Sequence, residues 1–359
     1  MAYIVMNADK LRSNYRYLDD LFNKKGIKWA VVTKLLCGNK DYISEIIKFG
    51  VKQICDSRVS NLKTIKQIDP TIETIYIKPP AKRAVKGVVK YADISMNTEI
   101  KTIQLLSREA VAQNKMHRII IMIELGELRE GVMGEDFIRF YEKVFDLENI
   151  EVVGIGTNLS CLYGVLPNQD KLIQLSLYAQ LVEAKFQRKL QFISGGSSVT
   201  IPLIFEKRIP GGINHFRVGE TLFLGTDVYN NTKFRNMCPD VFQFYAEIIE
   251  LTEKPVQPIG DIGTNVEGQS YETDKKLIGK HSCRAIIDIG LLDVEQGHIE
   301  PADEGIEIVG ASSDMIVVDL KDNSKNCRVG DLLEFKLDYM GTLKILNSRY
   351  VDKRLKYGS

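Results

Sequence analysis

Short apolar runs alternate with amphipathic stretches along the first two-thirds of the chain. β-rich runs are predicted at residues 28–33, 53–55, 74–77, 93–96, 118–124, 152–157, 191–194 and 217–224. Between them, apolar residues recur at helical spacing over residues 41–49, 59–68, 99–114, 136–145 and about 169–189. The 41–49 stretch carries apolar residues at 42, 43, 46, 47 and 49 and is stopped by Gly50. Eight β runs, each of the first seven followed by a helical or crossover segment, predict parallel strands joined by right-handed crossovers. Eight such units close into a (β/α)8 barrel, so an α/β fold of TIM-barrel type is expected. An open doubly wound sheet is the alternative, but no GxGxxG turn follows the first of these runs.

Beyond about residue 230 the texture changes. Runs such as FYAEIIELTEKPVQPIG, CRAIIDIGLLDV and IEIVGASSDMIVVDL are β-rich, broken by Gly, Pro and Asp, and lack clear helical periodicity. They predict a separate, mostly antiparallel C-terminal β domain, with the boundary between Gly225 and Asp240. The corresponding division is 1–230 and 231–359.

Composition narrows the function classes. The chain of 359 residues is long enough for a large domain and a smaller one. With 48 Lys and Arg against 47 acids, its net charge of +1 gives no electrostatic case for nucleic acid or a membrane surface. No apolar run approaches the roughly 20 residues of a membrane span. The opening MAYIVMNADKLRSNYRYL has no basic stretch leading into an apolar run, as a signal peptide would. Six scattered cysteines without a CxxC pair fit free thiols in a reducing cytoplasm. Four histidines without HxxxH or HxH spacing argue against a catalytic zinc, and no metal is expected.

Barrel chemistry resides where strands end, on the βα loops. The first run ends at Lys34, where partial desolvation would lower an amine pKa enough for nucleophilic use; a surface loop lysine is the plain alternative. Arg129 follows the fifth run and is suited to an anionic phenolate or carboxylate. The sixth ends at Asn158, with Cys161 and Tyr163 close behind. Ser194, Gly195, Gly196, Ser197 and Ser198 follow the seventh; small residues with backbone N–H groups and hydroxyls suit a phosphate. The eighth brings Arg217, Gly219 and Thr221, with Glu220 or Asp227 as acids that Arg217 could simply pair.

Taken together, a Lys on strand one, an Arg after strand five, Ser/Gly after strand seven and Arg-x-Gly on strand eight resemble the fold-type III pyridoxal-phosphate enzymes typified by alanine racemase. AVVTK is similar to that family's AVVKA lysine segment, and FRVGETLFLG to its RPG-x-x-LYG segment. VGASSDMIVVDL followed by VGD is similar to its VGRVCMDQIMVDL and VGD segments. The strings LGELREGV, GIGTNLSCLYGV, ISGGSS, INHFRVGE and PIGDIG are nearest to the alanine/ornithine racemase subgroup.

The resemblance implies a soluble, cytoplasmic racemase of amino acids, ornithine first, with lysine, alanine or a broad set as alternatives. It implies a homodimer whose β domain, joined by the chain's first strand, completes the partner's pocket. Lys34 would bind pyridoxal 5'-phosphate covalently and exchange the α-proton on one face. Arg217 would lie at the pyridine nitrogen, Asn158 at the position of a stacking histidine, and Arg129 at the phenolate or substrate carboxylate. Ser194, Ser197, Ser198, Gly219 and Thr221 would share the phosphate. The family's partner-donated tyrosine falls in a GYG-x-T segment, matched here by Gly260-Asp261-Ile262-Gly263-Thr264 without a tyrosine. Asp261 is therefore a candidate for the second face or for a cationic side chain, beside Cys161, Tyr163 and Tyr271. An aldolase or decarboxylase on the same fold, a non-catalytic pyridoxal-phosphate carrier, and a barrel lyase using Lys34 without the cofactor are the competing readings.

Overall fold

The computed structural model describes residues 2–264, 268 and 270–358. The chain divides into two compact units, Lys10–Pro239 and Met1–Asp9 with Asp240–Ser359.

The larger unit is a closed parallel barrel. Its strands are β2 (Lys28–Val32), β3 (Gln53–Asp56), β4 (Glu73–Tyr76), β5 (Ile94–Asn97), β6 (His117–Met122), β7 (Ile150–Gly156), β8 (Phe192–Ser197) and β9 (His215–Val218), with β1 (Tyr3–Asn7) in the other unit. Closure comes from β2 pairing with β9, Lys28 opposite His215 and Val31 opposite Val218. Alternating side chains of the strands fill the interior: Ala30, Val32, Cys55, Ile75, Ile94, Met96, Ile120, Met122, Val153 and Phe192 form one buried cluster. The period-two rule sets His215 and Arg217 on one face of β9 and Phe216 on the other. Phe216 packs against Phe22 of the helix Ala8–Lys24, ring centroids 5.2 Å apart. His215 meets Phe192 edge-on within the barrel at 5.0 Å.

The eighth β run is shorter than its apolar pattern implies. β9 stops at Val218, and Glu220–Leu224 is a short helix ended by Gly225 in the left-handed region at φ 61°. Residues 231–239, assigned from sequence to the second domain, belong to the barrel unit. Asn14 holds them, donating to the Cys238 carbonyl at 2.9 Å and accepting the Cys238 N–H at 2.7 Å.

The smaller unit is built on an eight-stranded sheet. Its long strand Phe242–Pro255 alternates: Phe242, Phe244, Ala246 and Ile248 are buried, while the residues between them are partly exposed. β1 pairs with this strand antiparallel, Tyr3 opposite Tyr245, and with Asp352–Lys356 in parallel. The unit also contains a helix, Tyr339–Asn347, where no helical periodicity was evident. Asp338 caps it by accepting the Gly341 N–H at 2.7 Å, a local signal that outweighs a weak apolar stripe. Among the described residues no helix is long and apolar enough to cross a membrane.

Candidate active site

Apart from Ser194, the candidate residues of the barrel unit lie at or near the carboxyl ends of its strands or on the loops that follow them. β2 ends at Val32, and the chain tightens into a 3-10 turn over Lys34–Leu36, closed by Cys37 in the left-handed region at φ 51°. Leu35 and Leu36 take the buried places of this turn, so Lys34 is exposed at the mouth. Beneath it, Thr33 donates its hydroxyl to Asp56 at 2.9 Å, and Asp56 accepts from Arg58 N and Asn61 Nδ2 at 2.9 and 3.0 Å. Burial pushes the Asp56 carboxyl above its ordinary pKa, against these hydrogen bonds.

Arg217 lies inside the mouth with 7% exposure. It pairs with neither Glu220 nor Asp227. Its guanidinium donates to the Ser194 carbonyl at 3.0 Å, to the Ser194 hydroxyl, and to the Thr157 carbonyl at 2.7 Å. Burial lowers its pKa, with Cys55 and Glu130 working in the other direction. Ser194 is thereby placed differently from the phosphate position expected of it. It is fully buried within β8, and its hydroxyl is shared between Arg217 and His215 Nδ1, the latter at 2.6 Å.

Ser197 and Ser198 do lie at the strand end. Ser197 caps the following turn reciprocally with Thr200. Ser198 Oγ accepts the Thr221 N–H at 3.2 Å, tying the loop after β8 to the loop after β9. Thr221 is fully buried and its hydroxyl donates to the Thr226 carbonyl at 2.8 Å, so its part is to join the loops and not to offer a free hydroxyl. At Gly219 a Cβ would come within 3.1 Å of Val32, so the two strand ends approach closely there.

The loops after β6 and β7 meet through acids that the sequence pattern did not single out. Arg129 is held by Glu130, donating through Nη2 to Oε1 at 2.6 Å and through Nε to Oε2. This pairing, with Cys161 nearby, raises the Arg129 pKa above its ordinary value. Asn158 lies against the same cluster. Its amide can donate to Glu130 Oε1 at 3.4 Å and to Cys161 Sγ at 3.3 Å; turned over, as its neighbours favour, its oxygen accepts from Arg129 Nη1 at 3.2 Å.

Glu127, 1% exposed, accepts backbone N–H groups from Ser160, Cys161, Leu162, Tyr163 and Val165. Burial works to raise its pKa, but these donors outweigh burial and pull it down to about 2. LGELREGV shows two extra acids around Arg129, yet nothing local signals that one of them clasps a loop more than 30 positions away. Asp261 and Tyr271 lie in the smaller unit, both exposed.

Two buried side-chain atoms among the described residues have no hydrogen-bond partner, Asn97 Oδ1 and Thr157 Oγ1. Asn97 ends β5, and Thr157 follows β7 beside Arg217. Orphaned buried polar atoms are uncommon, and both occur at the end of the barrel that carries the cationic groups. Lys34, Arg129 and Arg217 with the strand-end serines thus form a mouth suited to a ligand bearing a phosphate, a second anionic oxygen and a group open to attack by an amine.

Comparison with known proteins agrees with this architecture. The alanine racemase N-terminal domain family model matches residues 6–227. Ornithine racemase of Acetoanaerobium sticklandii is 39% identical over 98% of this chain and 99% of its own length. Lysine racemase of Thermotoga maritima is 30% identical over 98% of this chain and 97% of its own. Among solved structures, alanine racemase from Bartonella henselae with covalently bound pyridoxal phosphate superposes with a TM-score of 0.72 at 17% identity, covering 99% of both chains. A parallel barrel with its chemistry at the strand ends, a second β unit that recruits the first strand, and likeness to racemases over nearly the full length place this chain in the alanine racemase family.

Proposed function

We propose that the chain is a pyridoxal-phosphate-dependent racemase that interconverts the L and D forms of an amino acid, with ornithine as its substrate. The observation that carries this reading is the gathering of Lys34, Arg217 and the Arg129–Glu130–Asn158–Cys161 cluster at the carboxyl end of one barrel, where the two orphaned polar atoms also lie. The likeness to ornithine racemase supports the substrate, and the pyridoxal phosphate in the Bartonella henselae structure supports the cofactor.

The donor set fits the group. Bound there, pyridoxal phosphate supplies an electron-accepting ring that makes the α-proton of an attached amino acid acidic. Lys34 would hold it covalently and would serve as the group that removes or returns a proton on one face. Arg217 would face the ring nitrogen, where its fixed charge would disfavour a second positive charge and so favour simple proton exchange. Asn158 would pack at the ring, and Arg129 would bind the phenolate or the substrate carboxylate. Ser197, Ser198 and Gly219 would hold the phosphate, with Thr221 tying their loops and Ser194 supporting Arg217.

Cys161, set beside Arg129 and Asn158, is the group favoured for the opposite face. Asp261 is the second candidate, as a proton carrier or as the acceptor of a cationic side chain.

The working unit in this reading is a cytoplasmic homodimer. The exposure of Leu128 (65%), Leu162 (59%) and Tyr163 (70%) on the mouth loops supports an assembly that covers them.

The central test is Lys34→Ala. Borohydride treatment of the loaded wild type should fix the cofactor to the chain, and the variant should lose both this fixation and the visible absorbance. Retention of both in the variant would remove Lys34 from its role.

A further inference from the structure

Below Arg217 the barrel interior carries a continuous chain of hydrogen bonds whose directions are all determined. Arg118 can only donate, and its Nη2 reaches Glu73 Oε1 at 2.6 Å. Glu73 can only accept, so Gln53 presents its NH2 group to Glu73 Oε2. The Gln53 oxygen is then left facing His215 Nε2, at 2.9 Å. An oxygen there requires a proton on Nε2, which in a neutral imidazole makes Nδ1 the acceptor. The Ser194 hydroxyl accordingly gives its proton to His215 Nδ1, at 2.6 Å. Its lone pairs then remain for Arg217.

We propose that His215, with its tautomer fixed by Gln53, is a positioning residue for Arg217 and acts through the Ser194 hydroxyl. The inference rests on the reading that Arg217 faces the cofactor ring. Two physical arguments carry it. First, inward positions on most neighbouring strands hold Ala, Val, Ile or Met, and a buried polar chain is worse than such packing unless it is satisfied along its whole length. This one is satisfied from Arg118 to Arg217. Second, Arg217 can only donate. A Ser194 hydroxyl turned toward it would set hydrogen against hydrogen and remove one of its partners. A charged His215, donating from both nitrogens, would force that turn. Full burial prevents it, with the Arg217 charge adding to the effect, and pushes the His215 pKa down to about 3.

The far end of the chain opens at the other end of the barrel. Gln53 and Glu73 line a cavity of about 520 Å³ there, together with Lys28 and Trp29. Gln53 can therefore be replaced at a wall instead of in the packed interior.

The test has two arms. In the first, nitrogen-15 NMR of labelled histidines in cofactor-free protein should show one ring, absent in His215→Phe, protonated at Nε2 and accepting at Nδ1 between pH 5 and pH 8. Gln53→Leu should abolish that fixed pattern; an unchanged ring in Gln53→Leu overturns the directional argument. In the second, loaded Gln53→Leu and Ser194→Ala should each lose roughly tenfold or more in kcat with KM changed less than about twofold, and should shift the visible absorbance maximum. Ser194→Thr, which keeps the hydroxyl, should recover most of both. Arg217→Lys serves as the reference. If it alters rate and absorbance while Gln53→Leu and Ser194→Ala alter neither, the positioning role is overturned. If Arg217→Lys alters neither, the reading of Arg217 falls first and the inference with it. Circular dichroism confirms folding, and if His215→Phe does not fold, Gln53→Leu decides.

Discussion

The Glu127 carboxylate accepts the Cys161 backbone N–H at 2.7 Å across 34 positions of chain. The same carboxylate gathers four further N–H groups, so the loop that displays Asn158 and Cys161 is shaped around one buried charge. Glu127→Gln keeps the size but turns an N–H2 group toward backbone donors. A loss of roughly 2–3 kcal/mol is expected from urea unfolding, because hydrogen bonds to an ionised group are the strong ones. Proteolytic cleavage within residues 158–165 should also accelerate.

Acid should act over two overlapping windows. His117 and His215 have folded pKa values pushed by burial from 6.5 to about 4 and about 3. Below 6.5 the unfolded chain binds protons that the folded one refuses. Their contribution is complete above pH 6.5 and is lost as pH falls toward 4 and 3, at about 1.4 kcal/mol per pH unit for each ring. Glu127, lowered from 4.5 to about 2, keeps its full contribution above pH 4.5 and loses it between 4.5 and 2. Unfolding free energies taken from pH 8 to pH 3 should bend first near 6.5. Glu127→Gln should make the slope below pH 4.5 shallower and leave the slope between 6.5 and 4.5 unchanged.

Cys161→Ala should stop racemisation yet spare exchange of the α-proton on one face. In deuterium oxide, one enantiomer should take up deuterium with retained configuration, read by chiral chromatography and mass spectrometry. If Asp261→Asn gives that pattern and Cys161→Ala racemises normally, the opposite face belongs to Asp261. If Asp261→Asn slows ornithine and lysine while alanine is spared, Asp261 binds the side-chain amine.

Arg129→Ala should raise KM by about tenfold to a hundredfold, since it removes a charge-assisted contact made on binding. Glu130→Gln, which releases Arg129 from its partner, should change KM less than Arg129→Ala does. Equal effects would mean that the pair acts only as a structural clasp.

Gly196→Ala should cost about 1–3 kcal/mol by overpacking. A Cβ there would lie 2.2 Å from the Phe216 ring, and that ring is pinned between β9 and Phe22. Thermal unfolding of the variant against wild type measures it.

The sequence by itself determined the barrel, because hydrophobic period is a local property: apolar runs that repeat between amphipathic helices leave few other ways to be buried. It also determined the order of Lys34, Arg129, Asn158, Ser197, Arg217 and Gly219 along the strand ends, since a strand end is legible wherever an apolar run meets polar or small residues. It misjudged elements whose signals are short. The strand at 217–224 breaks at Val218 into a helix, and Tyr339–Asn347 is made helical by its cap more than by its stripe.

Only the tertiary structure decided what each polar group does with its protons. Ser194 and Thr221 read as open hydroxyls in sequence, but burial commits them to Arg217, His215 and Thr226. Glu127 and Gln53 carry no local signal, because their partners lie 33 to 38 positions away for Glu127 and 20 and 162 for Gln53. Hydrogen bonding acts over about 3 Å in space, whatever the distance along the chain, so these assignments exist only once the barrel has closed.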